Sequence, residues 1–238
     1  MILAAGLGTR LKPLTDKIPK ALVPVNHKPL LEHLINHLKN AGITEIIINV
    51  HHFPEQISSF IKAHDYFNMR IELSPEEDLL DTGGGLKKAQ WFFDDGKPFL
   101  LHNVDVVSNL DLVQILNFHN QKNGVATLAV RTRTSSRYLL FDHKDKLVGW
   151  EDVNRQEKKI IKPYIPHPQS LSFMGIHIIS PEIFSRSLLS GKFSIIDAYL
   201  DLAAKKESIY AFHSDMFFWL DLGKLQNLPA AEKYLEQS

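Results

Sequence analysis

From Leu3 to Val25 the chain reads LAAGLGTRLKPLTDKIPKALVPV, and its chemistry rests on Gly6, Gly8, Arg10 and Lys20. Glycine takes dihedrals closed to other residues and can turn successive N–H groups inward, the arrangement that cradles phosphate oxygens. Arg10 and Lys20 add positive charge beside it. Pro13, Pro19 and Pro24 restrict their own φ and disfavour helix at the residue before each. The expectation is an extended, stiff loop that presents Lys20 from a defined place. Ala4 and Ala5, ending the apolar run before the glycines, leave room for a ligand beside the backbone. Two familiar phosphate loops are excluded: Leu11 stands where the dinucleotide fingerprint needs its third glycine, and the Gly-Lys-Ser/Thr of the P-loop is absent.

Two isolated aspartates offer metal chemistry. Asp105 follows the apolar run PFLLHNV, and Asp221 follows FFWL just before Gly223. A carboxylate at the end of an inner strand is costly to bury unless a cation or donor compensates it. Mg²⁺ prefers one or two carboxylates together with phosphate oxygens and water, so two aspartates distant in sequence suffice. Asn103, able to donate and accept, is a candidate ligand contact beside Asp105. A second glycine cluster, DTGGGLKKAQWFF, opens a helix at a cost of about 1 kcal/mol per glycine relative to alanine. Backbone without side chains at a helix start lets a flat group lie against it and be read by main-chain N–H and C=O.

The pattern LAAGLGTRL.PLT...PK.L.PV resembles the signature of the sugar-phosphate nucleotidyltransferases, which join a nucleoside triphosphate to a sugar 1-phosphate and release pyrophosphate. The resemblance implies that the first loop wraps the triphosphate, that Arg10 draws charge from the leaving pyrophosphate and that Lys20 contacts phosphate oxygens. Ala21 stands where the family often has a second proline. NVD and WLDLG match the family's metal segments NGD and W.D.G, with Val104 in place of the glycine, which implies Mg²⁺ on Asp105 and Asp221. TGGG is similar to the short uridylyltransferases for N-acetylmuramic acid 1-phosphate and to relatives acting on mannose 1-phosphate, and places this segment beside the nucleobase. The implied nucleotide-binding residues are Ala4, Ala5, Gly6, Gly8, Thr9, Arg10, Lys20, Thr82, Gly83, Gly84 and Asn103. For the acceptor, Lys162 of the KP pair is the nearest match to the family's phosphate-contacting lysine, and Glu151 is a weaker candidate. UTP with N-acetylmuramic acid 1-phosphate is the expected pair. GTP with mannose 1-phosphate and a phosphocholine cytidylyltransferase are the rivals, and a nucleotide-binding regulator without turnover is the alternative from another class. Arg10, Lys20, Asp105 and Asp221 together argue for turnover.

The elements that must position these residues alternate along the chain. PLLEHLINHLKNAG puts Leu30, Leu31, Leu34, Ile35 and Leu38 on one helical face, with Gly42 as a stop. EIIINV reads as a buried strand, followed by a helix from about Pro54 and a short strand from Arg70 to Leu73. PFLLHNVDVV reads as one strand, and a helix is expected near Leu110 to Gln121. VATLAV, YLLFD and LSFMGIHIIS read as strands. Ser180 is expected to cap a helix with Pro181 at its first position. SIIDAYLDLAAKK is amphipathic, strands are expected near Ile209 and Phe217, and a last helix from about Lys224. The alternation predicts a three-layer α/β/α sandwich with a mainly parallel mixed sheet.

The chain has 238 residues, 44 % of them hydrophobic, with 27 basic and 27 acidic side chains, which is enough for one well-cored domain over 1–238. Balanced charge argues against bulk nucleic-acid binding, which depends on a basic face. The absence of cysteine excludes disulfides, thiolate metal sites and a cysteine nucleophile. No run approaches the ~20 apolar residues of a membrane span, and cytoplasm is expected. The appended left-handed β-helix of larger relatives is not expected. His33 and His37 share a helix without the zincin glutamate between them and are expected on a solvated face, whereas His102 is expected at a strand end where it could line the cleft.

Overall fold

The computed structural model describes residues 1–161 and 167–236. The short strand β1 (Ile2–Leu3) enters the glycine loop, which is closed by a hairpin of β2 (Pro24–Val25) and β3 (Lys28–Pro29). Helices and strands then alternate through α1 (Leu30–Asn40), β4 (Glu45–Val50), α2 (Pro54–Ala63), β5 (Arg70–Pro75), α3 (Asp81–Lys88) and β6 (Phe99–Asn103). After β7 (Val106–Ser108), α4 (Leu112–Lys122) and β8 (Ala126–Arg131) comes an antiparallel extension of β9 (Arg137–Phe141), β10 (Leu147–Asp152) and β11 (Glu157–Ile160). The long strand β12 (Gln169–Ile179), α5 (Ile183–Arg186), α6 (Ile195–Ala204), β13 (Ile209–His213), β14 (Trp219–Asp221) and α7 (Leu228–Leu235) complete the chain.

The central sheet has the order β5-β4-β1-β6-β12-β8-β13. Its strands run in one direction except β12, which is antiparallel to β6 and β8. β12 serves two layers of pairing: its first residues hold β9, and its last residues lie between β6 and β8. Side chains alternate across the sheet. Ile2, Ile46, Ile48 and Val50 meet α1 and α2 on one face, and Leu3, Ile47, Leu101, Leu128 and Val130 meet α3 and α6 on the other. Helices therefore cover both faces, as the strand-helix alternation predicts. Each fully buried isoleucine in this core contributes roughly 1.5–3 kcal/mol. The five apolar residues expected on the inner face of α1 are all buried, and Gly42 follows with φ 85°.

The parallel strands set up the site by where they end. β1 stops at the glycine loop, β4 at Asn49 and Val50, β5 just before Glu76, and β6 two residues before Asp105. Ligands of open α/β sheets bind beyond these carboxyl ends.

Several expectations need correction. The first loop is not extended: Thr9–Leu11, Leu14–Asp16 and Lys20–Leu22 each form a single 3-10 turn. Proline's fixed φ suits the start of a turn as well as an extended chain, and the residues before Pro13 and Pro24, Lys12 and Val23, are held extended, at ψ 143° and 123°. The run PFLLHNVDVV breaks at Val104–Asp105 into β6 and β7, and the last strand, expected near Phe217, is Trp219–Asp221. Ser180 does not cap a helix; its hydroxyl donates to the Gly124 carbonyl, and the short α5 begins at Ile183. β10 and β11 carry weak strand signals, because Gly149 interrupts one and every residue of the other is exposed.

Candidate active site

Gly8 turns the first loop with φ 63°, and a Cβ there would fall 2.7 Å from Thr15 Cγ2. The turn is fixed from within, since the Gly8 carbonyl accepts from the Leu11 N–H and the Thr15 hydroxyl, both at 2.8 Å. Gly6 needs no left-handed backbone; it is exposed and borders, with Ala4, Ala5, Arg10 and Lys20, a cavity of about 470 Å³. Thr9 is exposed at the loop's first 3-10 turn and, like Gly8, does not line that cavity.

The two aspartates lie side by side. β7 and β14 form a two-stranded ribbon in which Val106 is paired with Asp221, and the Leu222 N–H donates to the Asp105 carbonyl at 2.7 Å. Lys20 Nζ donates to Asp105 Oδ2 in a largely buried ion pair. Burial, and then the charge of Asp105, push the Asp221 carboxyl above the usual carboxylate range, opposed by the Gly223 N–H at 2.7 Å. Arg10 reaches the same place: a Cβ on Gly223 would sit 2.5 Å from Arg10 Nη2 and 2.8 Å from Asp221 Oδ1. Two carboxylates side by side, one of them raised by burial and by the other's charge, form a donor set that suits a divalent cation with phosphate oxygens completing its shell. Among the described residues no cluster of three or more metal-binding side chains occurs, so this pair is the candidate centre.

Across the cavity stand two residues that the sequence did not single out. Asn49 is buried at the end of β4; its Oδ1 accepts from the Ala4 N–H at 2.7 Å and its Nδ2 donates to Glu76 Oε1 at 2.8 Å. Glu76, also buried, accepts from the Leu80 N–H through its other oxygen. Polar residues ending otherwise apolar or strand-like runs were their only signal, and Asp105 shares it.

The glycine triplet has a packing explanation. A Cβ at Gly83 would fall 2.4 Å from the Phe193 ring, at Gly84 2.3 Å from the Gly191 carbonyl oxygen, and at Gly85 2.5 Å from Glu76 Oε1. The N–H groups of Gly83 and Gly84 already donate to the Phe193 carbonyl. Thr82 lines the cavity, whereas Gly83 and Gly84 bring α3 against the 191–195 segment and do not border it.

The cleft continues beyond this cavity. A cavity of about 600 Å³ adjoins the first through Arg10, and another of about 500 Å³ adjoins it through Asn103 and Thr82. Asn103 packs over Gly175, whose missing Cβ leaves 2.7 Å to Asn103 Nδ2. Trp150 and Asp152 face this region, whereas Glu151, on the alternate face of β10, accepts from Ser170 and pairs with Lys158. Glu151 is thus not brought into the site. Lys162 lies outside the described residues.

The histidines also depart from expectation. His102 is fully buried and turned toward α1, not the cleft; it lines a separate cavity of about 540 Å³ with His33 and His37. Neither helix histidine is on a solvated face, because His33 Nε2 lies 2.8 Å from the Val25 carbonyl and burial lowers the pKa of His37.

A doubly covered, mainly parallel sheet with glycine loop, cations and paired carboxylates at its carboxyl ends is the architecture of a nucleotide-handling α/β protein. The family model described as "Nucleotidyl transferase" matches residues 1–238, and the chain belongs to that family. It is 30% identical to a UTP–glucose-1-phosphate uridylyltransferase of Synechocystis and 30% identical to a mannose-1-phosphate guanyltransferase of Yarrowia lipolytica, in each case over 94% of this chain and 60% of the relative. The chain thus spans about three fifths of the length of these curated relatives. Its fold matches HddC from Yersinia pseudotuberculosis complexed with GMP-PN, with TM-score 0.77, 23% identity and coverage of 98% of this chain and 97% of that one. A UDP-glucose pyrophosphorylase complexed with UDP-glucose matches with TM-score 0.77 and 17% identity, over 100% of this chain and 98% of that one. Among the described residues no helix is long and apolar enough to cross a membrane.

Proposed function

We propose that the chain transfers a nucleotidyl group from a nucleoside triphosphate to a sugar 1-phosphate and releases pyrophosphate. The observation that carries this reading is the convergence of Arg10 and Lys20 with the Asp105–Asp221 pair at the end of the sheet where the glycine loop opens. An oxygen of the sugar phosphate forms a bond to the α-phosphorus as the bond from that phosphorus to the bridging oxygen breaks, and the electron pair leaves with pyrophosphate. Negative charge grows on the leaving group, where Arg10 and Lys20 stabilise it without a protein nucleophile. Mg²⁺ held by Asp105 and Asp221 would neutralise and orient phosphate oxygens when bound.

Glu76 lines the cavity beside Thr82, and its carboxylate could accept from an N–H of a bound base. Relatives named for uridylyl and for guanylyl transfer support UTP or GTP as the nucleotide. Our first choice is UTP with N-acetylmuramic acid 1-phosphate, on the TGGG resemblance, with GTP and mannose 1-phosphate as the second, in a cytoplasmic setting. Pyrophosphate release, measured for four triphosphates against a panel of sugar 1-phosphates with and without Mg²⁺, tests all of this. Release confined to UTP or GTP is expected; none from any combination would end the proposal.

A further inference from the structure

We propose that Arg133 holds the phosphate of the acceptor, braced for that task on the face of Trp219. The inference rests on the nucleotidyl-transfer reading above and adds to it a residue that the first loop does not contain.

The larger cavity beyond Arg10 is lined by Arg10, Arg133 and Arg137 and, among the described residues, by no acidic side chain. Its three guanidinium groups are not equivalent. Arg137 is neutralised by Asp152, with Nε 3.0 Å from Oδ2. Arg10 stands at the junction with the nucleotide cavity, beside Asp221. Arg133 has no carboxylate within ion-pair distance among the described residues; its guanidinium lies 4.6 Å from the centre of the Trp219 ring. That ring is fixed, because the indole N–H donates to the Met174 carbonyl at 2.8 Å and Trp219 is paired with Ser108 in the β7–β14 ribbon. The same ribbon carries Asp221, so Arg133 is registered to the carboxylate pair through one short strand. The backbone beneath it is also tied: the Thr132 N–H donates to Asp215 Oδ1 at 2.8 Å and the Ser135 N–H to the Tyr138 hydroxyl.

The charge environment points the same way. Arg133 is partly desolvated, and the anion that most offsets this is Asp221, not an adjacent partner. A planar guanidinium stacked on an aromatic ring keeps its N–H edge free for a bidentate contact, which is the geometry a phosphate accepts. An attacking phosphate must approach a triphosphate against like charge, so a cation on the acceptor side, across from Arg10, meets a requirement of the reaction.

The test uses Arg133→Gln and Arg133→Lys in the full chain, with whichever sugar 1-phosphate gives most pyrophosphate with the parent protein. Loss of a charge-assisted phosphate contact should raise the acceptor KM about 10- to 100-fold in Arg133→Gln, while the triphosphate Kd, measured by calorimetry without acceptor, stays within twofold. Arg133→Lys keeps the charge without the planar fork and should recover part of the loss; it also carries the test if the glutamine variant does not fold. Inorganic phosphate should compete with the acceptor in the parent protein and much less in Arg133→Gln. An acceptor KM within twofold of the parent, or a triphosphate Kd that rises in step with it, overturns the assignment of Arg133 and leaves nucleotidyl transfer standing. No pyrophosphate from the parent protein with any pair overturns both.

Discussion

Lowering the pH from 7 to 5 should weaken the fold through two imidazoles that the core keeps neutral. His177 on β12 and His102 on β6 are fully buried, and burial lowers their pKa values from 6.5 to about 3 and to about 4. His177 Nδ1 lies 2.7 Å from the Tyr199 hydroxyl, and its Nε2 has no hydrogen-bond partner among the described residues. Unfolded, both rings titrate near 6.5; folded, they resist protonation until the pH is far lower. Between these values the unfolded chain binds the extra protons, so this contribution to stability is intact above pH 6.5 and is lost as the pH falls. At pH 5, some 1.5 pH units below the unfolded value, each ring costs about 2 kcal/mol and the pair about 4 kcal/mol. That is a large part of the 5–15 kcal/mol typical of a folded domain. Urea unfolding at pH 7, 6 and 5 measures it directly. In His177→Gln, which has no titrating ring, the loss between pH 7 and 5 should shrink by about 2 kcal/mol relative to the parent. If parent and variant lose stability equally over this range, His177 is not held neutral by its surroundings and the reasoning fails.

Arg10→Ala should lower turnover by about 10²- to 10³-fold while changing triphosphate affinity far less, because its contact strengthens as charge moves onto pyrophosphate; single-turnover kinetics beside equilibrium binding would show it, and equal turnover would remove Arg10 from the transition state. Asp105→Asn should abolish the response of activity to added Mg²⁺, read as rate against metal concentration after chelation; an unchanged response takes Asp105 out of the metal site. Gly84→Ala, which places a methyl 2.3 Å from the Gly191 carbonyl, should destabilise the fold by roughly 1–3 kcal/mol in thermal unfolding. A neutral result would mean that the 191–195 segment yields easily.

Much of this fold is legible in the sequence because its signals are local. α1 was readable from its apolar face and glycine stop, and β4 from an unbroken β-branched run, since periodicity and composition act within a few residues. Asp105 stood out as a charge ending an apolar strand. Asn49 and Glu76 did not, because their meaning lies in each other: a buried amide bridging a strand N–H to a carboxylate is a long-range fact. The packing role of Gly83 and Gly84 was hidden for the same reason, as the groups that take up the space, Phe193 and Gly191, come more than a hundred residues later. β11 was hidden because an exposed edge strand carries no hydrophobic alternation, its partner in β10 supplying the order. His102 sits at the strand end where it was expected, but the face it presents depends on the register of β6 with β1.

Lys20 and Asp105 neutralise each other across the cleft, and each is also the group through which one of the two charged reactants would be gripped. A triphosphate arriving alone must draw the ammonium away from its carboxylate, and a metal ion arriving alone must draw the carboxylate away from its ammonium. Arriving together, they exchange one ion pair for two. Coupled occupancy of this kind is reciprocal, so the tighter the cation is held in the presence of nucleotide, the tighter the nucleotide is held in the presence of cation. In that reading the pair would act as an interlock: neither half of the charge would be taken up cheaply without the other.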